Sequence, residues 1–221
     1  MKILTIIGTR PELIRLSRII PTLDKFSKQI IVHTGQNYDK NLDGVFFNNF
    51  KLRKPNYYLG AKGSFGNQIS IILKKMEKII EKEKPDRFFV LGDTNSSLGA
   101  IMAKRMGVKV YHVEAGNRCF DDKVPEEVNR RIIDHSSDFL LTYTTRSAEN
   151  LVKEGIDRSN IFVVGNPIYE VMSYYEKQIE KSNILQKLKL KEKKYFLLTL
   201  HRTENTTDPK KLKNFLDAFK K

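Results

Sequence analysis

The sequence predicts an α/β fold in which a mostly parallel sheet is covered by helices on both sides. Short strands and helices alternate along almost the whole chain, which is the pattern of a parallel sheet with crossover helices. Several strands are continuous apolar runs of the kind that is buried on both faces. The strands end in polar clusters, and parallel strands bring such clusters together in one crevice at their carboxyl ends.

The first part of the chain predicts strands followed by amphipathic helices. Lys2–Ile7 is an apolar run that stops at residues 8–12, Gly-Thr-Arg-Pro-Glu, after which apolar residues at helical spacing predict one helix as far as Leu23. Residues 30–33 form a second strand, and the following stretch to residue 66 is interpreted as a short helix with loops. Residues 69–80 carry apolar side chains at offsets of three and four and predict a long helix.

The middle of the chain repeats this pattern as far as residue 164. A strand at Arg87–Leu91 ends in Gly92-Asp93-Thr94 and leads into a helix that Gly107 terminates. The remaining predicted elements are strands at 108–114, 139–143 and 161–164 and helices at 125–136 and 147–154. The sequence therefore assigns residues 1–168 to one domain.

A second unit is predicted after Gly165-Asn166-Pro167. A helix from Ile168 and a lysine-rich connector lead to residues 195–200, an apolar run that predicts another buried strand. Asp208 caps a final helix that has Pro209 in its first turn. One strand and one helix do not build a domain, so residues 169–221 are interpreted as a connector and the start of a second, incomplete domain in a chain that is cut short.

The composition limits the possible partners. The chain has 221 residues, of which 40% are hydrophobic, and a formal net charge of +14. Its lysines are scattered without a nucleic-acid-binding motif, so we expect a solvated basic face and no nucleic-acid partner. No apolar run approaches the ~20 residues of a membrane-spanning helix, and there is no signal-peptide pattern. We therefore expect no membrane partner and a cytoplasmic location.

The cysteine and histidine content argues against a metal site. Cys119 is the only cysteine, which excludes an internal disulfide and a cysteine-based metal site. Beside Arg118 its thiol could be an activated nucleophile, but a solitary cysteine is more often a small packing residue, and we favour packing. Three of the four histidines show no metal-ligand spacing. His201 ends an apolar run and titrates in the range that acid/base or phosphate chemistry uses.

Two turns at strand ends allow both a functional and a structural interpretation. The turn at residues 8–12 could bind a phosphate through its backbone N–H groups, the helix dipole and Arg10, or it could be a plain turn in which Pro11 opens a helix. The spacing of residues 8–12 favours these two interpretations equally. Asp93 could act as a base or hold a hydroxyl group, although within its own segment a helix cap is the stronger interpretation.

Three glutamates flank the loop between residues 114 and 125. Glu114 ends an otherwise apolar strand, where it would lose solvation unless it had a use, so it is the strongest acid/base candidate. Glu126 and Glu127 lie in the first turn of a helix, where acidic residues complement the helix dipole. Glu127 can also pair with Arg131 one turn later.

Six motifs follow one another along essentially the entire chain. They are Gly8-Thr9-Arg10-Pro11-Glu12, Gly92-Asp93-Thr94, Val113-Glu114-Ala115-Gly116, Pro125-Glu126-Glu127-x-Asn129-Arg130, Gly165-Asn166 and His201-Arg202-x-Glu204-Asn205. Each is weak alone, but together and in this order they resemble the non-hydrolysing UDP-N-acetylglucosamine 2-epimerase family. The resemblance implies a Rossmann-like domain that is the first half of a two-domain, GT-B-like architecture with its active site between the domains.

The resemblance also implies a reaction, in which C2 of a UDP-2-acetamido sugar is inverted. UDP is eliminated to leave a 2-acetamidoglycal and is added back after protonation on the other face. The acid/base roles are assigned by resemblance to Asp93, Glu114, Glu126 and His201. Binding of the UDP-sugar is assigned to Arg10, Arg15, Gln36, Arg130, Asn166, His201 and Arg202. The resemblance implies no metal or other cofactor, a homodimer when full length, and no activity for the 221-residue chain by itself.

Two positions depart from the family pattern. Arg15 stands where most members carry lysine, and Asn117 stands where they carry an apolar residue. Residues 117–121 resemble the branch that converts a UDP-2-acetamido-2,6-dideoxy-L-talose to UDP-N-acetyl-L-fucosamine, so this substrate is an alternative. A GT-B-type glycosyltransferase and a non-catalytic nucleotide-sugar-binding fragment are further alternatives, although the glutamates have no obvious role in a transferase.

Overall fold

The computed structural model describes residues 1–35, 40–199 and 208–219, and only the backbone of residues 40–44. The chain forms two compact units, Met1–Tyr175 and Glu176–Lys221, and each is described by itself. The predicted assignment of residues 169–221 to the start of a second Rossmann-like domain stays a prediction.

The first unit is built on one seven-stranded parallel sheet. Its strands are β1 (Lys2–Ile7), β2 (Lys28–His33), β3 (Tyr57–Tyr58), β4 (Arg87–Leu91), β5 (Lys109–Val113), β6 (Phe139–Thr142) and β7 (Ile161–Val163). The strand order is β3-β2-β1-β4-β5-β6-β7. It reverses direction between β1 and β4, which creates the switch point where open α/β sheets bind ligands. The predicted Rossmann-like α/β fold is confirmed.

Helices cover both faces of this sheet. They are α1 (Arg10–Leu16), α2 (Ile19–Phe26), α3 (Lys40–Asn49), α4 (Phe65–Glu83), α5 (Gly99–Arg105), α6 (Pro125–His135), α7 (Thr145–Lys153) and α8 (Ile168–Glu180). Residues of α4 and α5 share one apolar cluster with the sheet, and residues of α1, α2 and α3 share another. Among the described residues, no helix is both long enough and apolar enough to cross a membrane.

The single helix predicted after residue 12 is wrong, because the structure contains two helices, α1 and α2. The reason is Pro21, which has no N–H with which to bond the carbonyl of Ser17. Proline is tolerated in the first turn of a helix, where the N–H groups have no intrahelical partner. The chain therefore starts a new helix at Ile19, two residues before the proline.

Helix α4 anchors one face of the sheet, and its sequence defines both of its ends. Ser64 accepts a hydrogen bond from the backbone N–H of Asn67 at the N-terminus, and Lys84 adopts a left-handed conformation at the C-terminus. Ile72 and Met76 lie one turn apart and are fully buried in the cluster that contains Phe88 of β4. Burying each of these side chains contributes about 1.5–3 kcal/mol.

The described residues of the second unit contain helices but no strand. These include α9 (Ile184–Lys187) and α10 (Pro209–Phe219), and Asp208 Oδ1 accepts the backbone N–H of Lys210 over 2.9 Å as the predicted cap. The predicted strand at 195–200 is wrong for residues 195–199, where Phe196 and Leu197 are 103% and 91% exposed. A parallel strand needs neighbours that take its hydrogen bonds, and residues 176–199 and 208–219 supply none.

Candidate functional site

Glu114 lies at the carboxyl end of β5 in a backbone conformation that glutamate rarely adopts. Its φ is +74°, in the left-handed region. Its neighbour in the sheet is Gly92 at the end of β4, because Leu91 pairs with Val113, and Gly92 has a φ of +81°. The left-handed conformation costs a residue other than glycine roughly 1–2 kcal/mol. Strain of this kind at a strand end that faces a crevice indicates a functional position.

The carboxylate of Glu114 lies between a cation and an amide. Arg15 of α1 forms an ion pair with Glu114 Oε2, and Asn117 Nδ2 donates to Oε1 over 3.4 Å. Burial raises the pKa of Glu114, the positive charge of Arg15 opposes this rise, and the negative charge of Asp93 adds to it. Glu114 therefore holds a proton more readily than an ordinary glutamate, as acid/base chemistry near neutral pH requires.

Asp93 lies next to Glu114 and is paired with a second arginine. Arg130 Nε donates to Asp93 Oδ2 over 2.7 Å, and Asn129 Nδ2 donates to the backbone carbonyl of Asp93 over 2.9 Å. A Cβ atom at Gly92 would lie 3.5 Å from Glu114 Oε2, so the start of the loop that carries Asp93 lies beside the Glu114 carboxylate. The predicted site residues that the structure brings together are Arg15, Asp93, Glu114 and Arg130.

Arg130 is oriented by Glu127, a buried residue of α6. Glu127 Oε2 accepts from Arg130 Nη1 over 2.8 Å, and Oε1 accepts from Arg131 Nη2 over 3.4 Å, which confirms the predicted pair. The backbone N–H groups of Cys119 and Phe120 donate to the same carboxylate over 3.0 and 3.1 Å. Burial acts to raise the pKa of Glu127, but these hydrogen bonds outweigh it and lower the pKa to about 2. Glu127 is therefore charged and holds the loop against α6.

The other predicted site residues lie at the surface or outside the described residues. Glu126 is exposed in the first turn of α6, because adjacent helical residues point about 100° apart and Glu127 takes the inward direction. Arg10 is exposed at the start of α1, and exposed Asn166 accepts the backbone N–H of Ile168 over 3.0 Å. The roles of these three residues stay predictions. Gln36, His201 and Arg202 lie outside the described residues.

Glu12 is a site residue that the sequence did not single out. Glu12 is 3% exposed, and its carboxylate accepts the backbone N–H groups of Gly8 and Thr9 over 2.6 and 3.1 Å. It also accepts the hydroxyl of Thr94, the residue after Asp93, over 2.6 Å. Burial outweighs these bonds and raises the pKa of Glu12 to about 6. Because Glu12 occupies both N–H groups, these contacts favour the plain-turn interpretation of the backbone at residues 8–12.

Tyr143 is a second residue that sequence reasoning missed. It follows β6 and lies near Glu114 and Arg15. Burial raises the pKa of its hydroxyl, and the negative charge of Glu114 raises it further. The hydroxyl therefore stays protonated at neutral pH and is available as a hydrogen-bond donor. Its only sequence signal was its place directly after a strand of the sheet.

A cleft of about 370 Å³ lies at the carboxyl ends of β5, β6 and β7. Val113 of β5, Leu141 of β6 and Val164, which directly follows β7, line it, and Asn166 is one of the polar residues at its rim. Its lining is mainly apolar, which suits the body of a small molecule with polar groups held at the edge. Within the described ranges, no three histidine, cysteine, aspartate or glutamate side chains are grouped so that they could hold a metal ion.

Comparisons with known proteins agree with this fold. The family model for UDP-N-acetylglucosamine 2-epimerase matches residues 22–221. A UDP-N-acetylglucosamine 2-epimerase homolog from Methanococcus maripaludis is 45% identical over 99% of this chain and 62% of its own length. The UDP-2,3-diacetamido-2,3-dideoxy-D-glucuronate 2-epimerase of Pseudomonas aeruginosa is 38% identical over 99% of this chain and 62% of its own length.

Solved structures also show a likeness to this family and to its fold. The Methanocaldococcus jannaschii UDP-GlcNAc 2-epimerase in complex with UDP-GlcNAc and UDP has a TM-score of 0.91 and 42% identity, over 99% of this chain and 62% of that one. A lipopolysaccharide outer core galactosyltransferase, 17% identical with a TM-score of 0.54 over 75% of this chain and 45% of its own, shares the fold alone.

The fold and the site define a Rossmann-like domain of the GT-B type that carries arginine-paired carboxylates at the ends of its strands. The chain belongs to the UDP-N-acetylglucosamine 2-epimerase family, as its motifs predicted. It spans 62% of the length of the curated relatives described above.

Proposed function

We propose that the full-length protein inverts the configuration at C2 of a UDP-2-acetamido sugar by eliminating UDP and adding it back. The observation that carries this proposal is the pair of arginine-bound carboxylates, Glu114 and Asp93, on adjacent strand ends in a chain of the 2-epimerase family. The reaction needs one group that takes a proton from C2 and another that returns a proton to the opposite face. Two carboxylates on adjacent strand ends, close enough for the charge of Asp93 to raise the pKa of Glu114, suit that need.

The reaction has two stages. A base removes the C2 proton while the bond between C1 and the UDP oxygen breaks, and the electron pair of that bond leaves with UDP. The product is a 2-acetamidoglycal. An acid then protonates C2 from the other face, and the UDP oxygen forms the bond to C1 again. A positioned base contributes only about 10²–10⁴-fold, so positive charge must also stabilise the leaving diphosphate.

In this proposal Asp93, Glu114 and Glu126 share the proton transfers. The raised pKa of Glu114 supports a role that alternates between the acid and the carboxylate form. Arg15 and Arg130 lie at the two carboxylates, where their positive charge is also available to the substrate. Arg10 and His201 are proposed to bind the diphosphate, and Gln36, Asn166 and Arg202 are proposed to complete the UDP-sugar site.

UDP-N-acetylglucosamine is the substrate that the family assignment favours. A 38% identical relative carries the name of a UDP-2,3-diacetamido-2,3-dideoxy-D-glucuronate 2-epimerase, so related sugars occur within the same family. UDP-2-acetamido-2,6-dideoxy-L-talose is the alternative that residues 117–121 suggest. All three sugars share UDP and a 2-acetamido group, and the proposed chemistry acts on that common part.

The test is solvent exchange at C2 by the full-length protein. Each candidate UDP-sugar is incubated with the protein in D₂O, and C2 is followed by NMR. We expect deuterium at C2 and the appearance of the C2 epimer for one of these sugars. An epimer that retains protium at C2 would contradict the mechanism. Stoichiometric UDP release that requires an acceptor would indicate a glycosyltransferase instead.

We also propose a cytoplasmic homodimer for the full-length protein. Light scattering measures the mass of the purified protein in solution, and a monomeric mass would contradict the dimer. The 221-residue chain is expected to be inactive in the same D₂O assay, and turnover by it would contradict that expectation.

A further inference from the structure

The loops that carry Asp93 and Glu114 share one buried support. We infer that His112 and Asp134 are positioning residues that hold these two carboxylates in place. The inference rests on the proposed function, because Asp93 and Glu114 are its acid/base candidates. His112 and Asp134 have side chains that are 1% and 0% exposed, so they act through the loops and not by contact with a substrate.

His112 holds the first loop. It lies on β5, and its Nε2 is 3.0 Å from the carbonyl oxygen of Gly92. Gly92 directly precedes Asp93, so this hydrogen bond fixes the peptide unit from which Asp93 projects. The next carbonyl, that of Asp93 itself, accepts from Asn129 Nδ2 over 2.9 Å. Two consecutive peptide units of this loop are therefore held by side chains of β5 and α6.

Asp134 holds the second loop. Its Oδ2 accepts the backbone N–H of Gly116, two residues after Glu114, over 3.2 Å. Gly116 has a φ of +74°, and a Cβ atom there would lie 2.2 Å from the carbonyl oxygen of Ser147. The loop is therefore pressed against α7 on one side and bonded to Asp134 on the other. Small changes at Asp134 are expected to move the peptide units next to Glu114.

The two supports are joined to each other. His112 Nδ1 lies 2.8 Å from Asp134 Oδ1, and Asp134 Oδ2 pairs with Arg118 Nη2 over 2.8 Å. Both ring nitrogens of His112 lie within hydrogen-bond distance of an oxygen atom, so the ring bridges the Gly92 carbonyl and the Asp134 carboxylate. Arg118 is also paired with Glu154 over 2.6 Å. Each buried charge in this group has a partner of opposite sign, as buried charges require.

Kinetics of the full-length protein test the inference. His112→Gln keeps an amide donor for the Gly92 carbonyl and loses the bond to Asp134, and Asp134→Asn removes the charge at nearly constant size. Since a misplacement of 1 Å can cost about 10²-fold, we expect kcat to fall about 10- to 100-fold while KM stays within about threefold. A substrate deuterated at C2 should show a larger isotope effect in the variants, because proton transfer becomes slower.

His135→Gln is the matched control for these variants. His135 follows Asp134 on α6, but its side chain is 51% exposed, and its Nε2 lies 3.7 Å from Glu154 at the edge of the network. We expect its kcat and isotope effect to equal those of the parent protein. If the His112 and Asp134 variants lose stability but keep the parent kcat per folded molecule, their role is only structural and the inference is overturned.

A second measurement is independent of activity. Crystal structures of the unliganded full-length parent and of its variants show where the carboxylates of Asp93 and Glu114 lie. We expect both carboxylates to keep their parent positions in His135→Gln and to be displaced in Asp134→Asn. Unchanged positions in Asp134→Asn would overturn the inference and leave the proposed function intact. Failure of C2 exchange in the parent would instead refute the proposed function, whatever the positions of these side chains.

Discussion

Gly92 and Glu114 occupy adjacent strand ends and share one backbone conformation, with φ values of +81° and +74°. At Gly92 the conformation is nearly free, because glycine has no Cβ, and the carboxylate is carried by the next residue, Asp93. At Glu114 the strained residue itself carries the carboxylate, at a cost of roughly 1–2 kcal/mol. The Glu114 side chain is 17% exposed and that of Asp93 is 24% exposed. The comparison teaches that the strained residue, Glu114, carries a carboxylate that is more buried than that of Asp93, which follows the unstrained glycine.

Removing the acid from the strained strand end should have the largest effect. In full-length Glu114→Gln we expect kcat to fall by about 10²–10⁴-fold, because the side chain can no longer give or take a proton. Glu81→Gln on the exposed face of α4 is the matched control and should keep parent kinetics. The kcat values of the parent and of both variants are measured from steady-state rates with the substrate found in the D₂O assay. A Glu114→Gln enzyme within threefold of the parent would remove Glu114 from the chemistry.

Glu12, which supports the Gly92 side through Thr94, should make stability depend on pH. Its pKa rises from 4.5 to about 6 on folding, so the folded state holds the proton more tightly, a difference of roughly 2 kcal/mol. This contribution is fully present below pH 4.5 and is lost as the pH rises through about 6.

Urea unfolding of the parent and of Glu12→Gln at pH values from 4.5 to 7.5 measures this effect. We expect the parent to lose about 2 kcal/mol relative to the variant across this range. Subtracting the variant removes the contributions of the other titrating groups. Parallel pH profiles would show that Glu12 has an ordinary pKa in the folded protein.

Gly92→Ala tests the cost of the shared conformation directly. A Cβ at this position would lie 3.5 Å from Glu114 Oε2, an ordinary contact, so the expected loss of about 1–2 kcal/mol comes from the positive φ. Gly66→Ala in α4 is the matched control, because its Cβ would meet no atom within 4 Å and its φ is not positive. That change should be neutral or stabilising. Equal unfolding free energies for the two variants would contradict the strain assigned to this conformation.

The smallest effect is expected for the unfolding free energy of Glu126→Gln. Because Glu126 is exposed, Glu126→Gln should change the unfolding free energy by less than about 0.5 kcal/mol. Glu127→Gln should destabilise the protein more, because it weakens the bonds to Arg130 and to the loop N–H groups. If Glu126 takes part in proton transfer, its variant will lose kcat without losing stability. Parent kinetics in Glu126→Gln would end its acid/base assignment.

Local patterns predicted most of the first unit. Apolar runs and helical spacing located its longer strands and helices, because these patterns follow from burial on a sheet or on one helix face. The prediction was wrong where one residue or the tertiary context overrode the pattern. Pro21 divided a continuous apolar periodicity into α1 and α2, and the run at 195–199 formed no strand in the described residues.

The sequence by itself determined the α/β class, the family, and the placement of Asp93 and Glu114 at strand ends, because these depend on short-range periodicity and on motifs. Only the tertiary structure decided that Glu127 rather than Glu126 turns inward, that Glu12 fills its own turn, and that Asp134 and His112 join two loops. The physical reason is that burial selects among polar side chains that look equivalent along the chain. The packing that buries them includes contacts between residues distant in sequence, such as those of Thr94 with Glu12 and of His112 with Asp134.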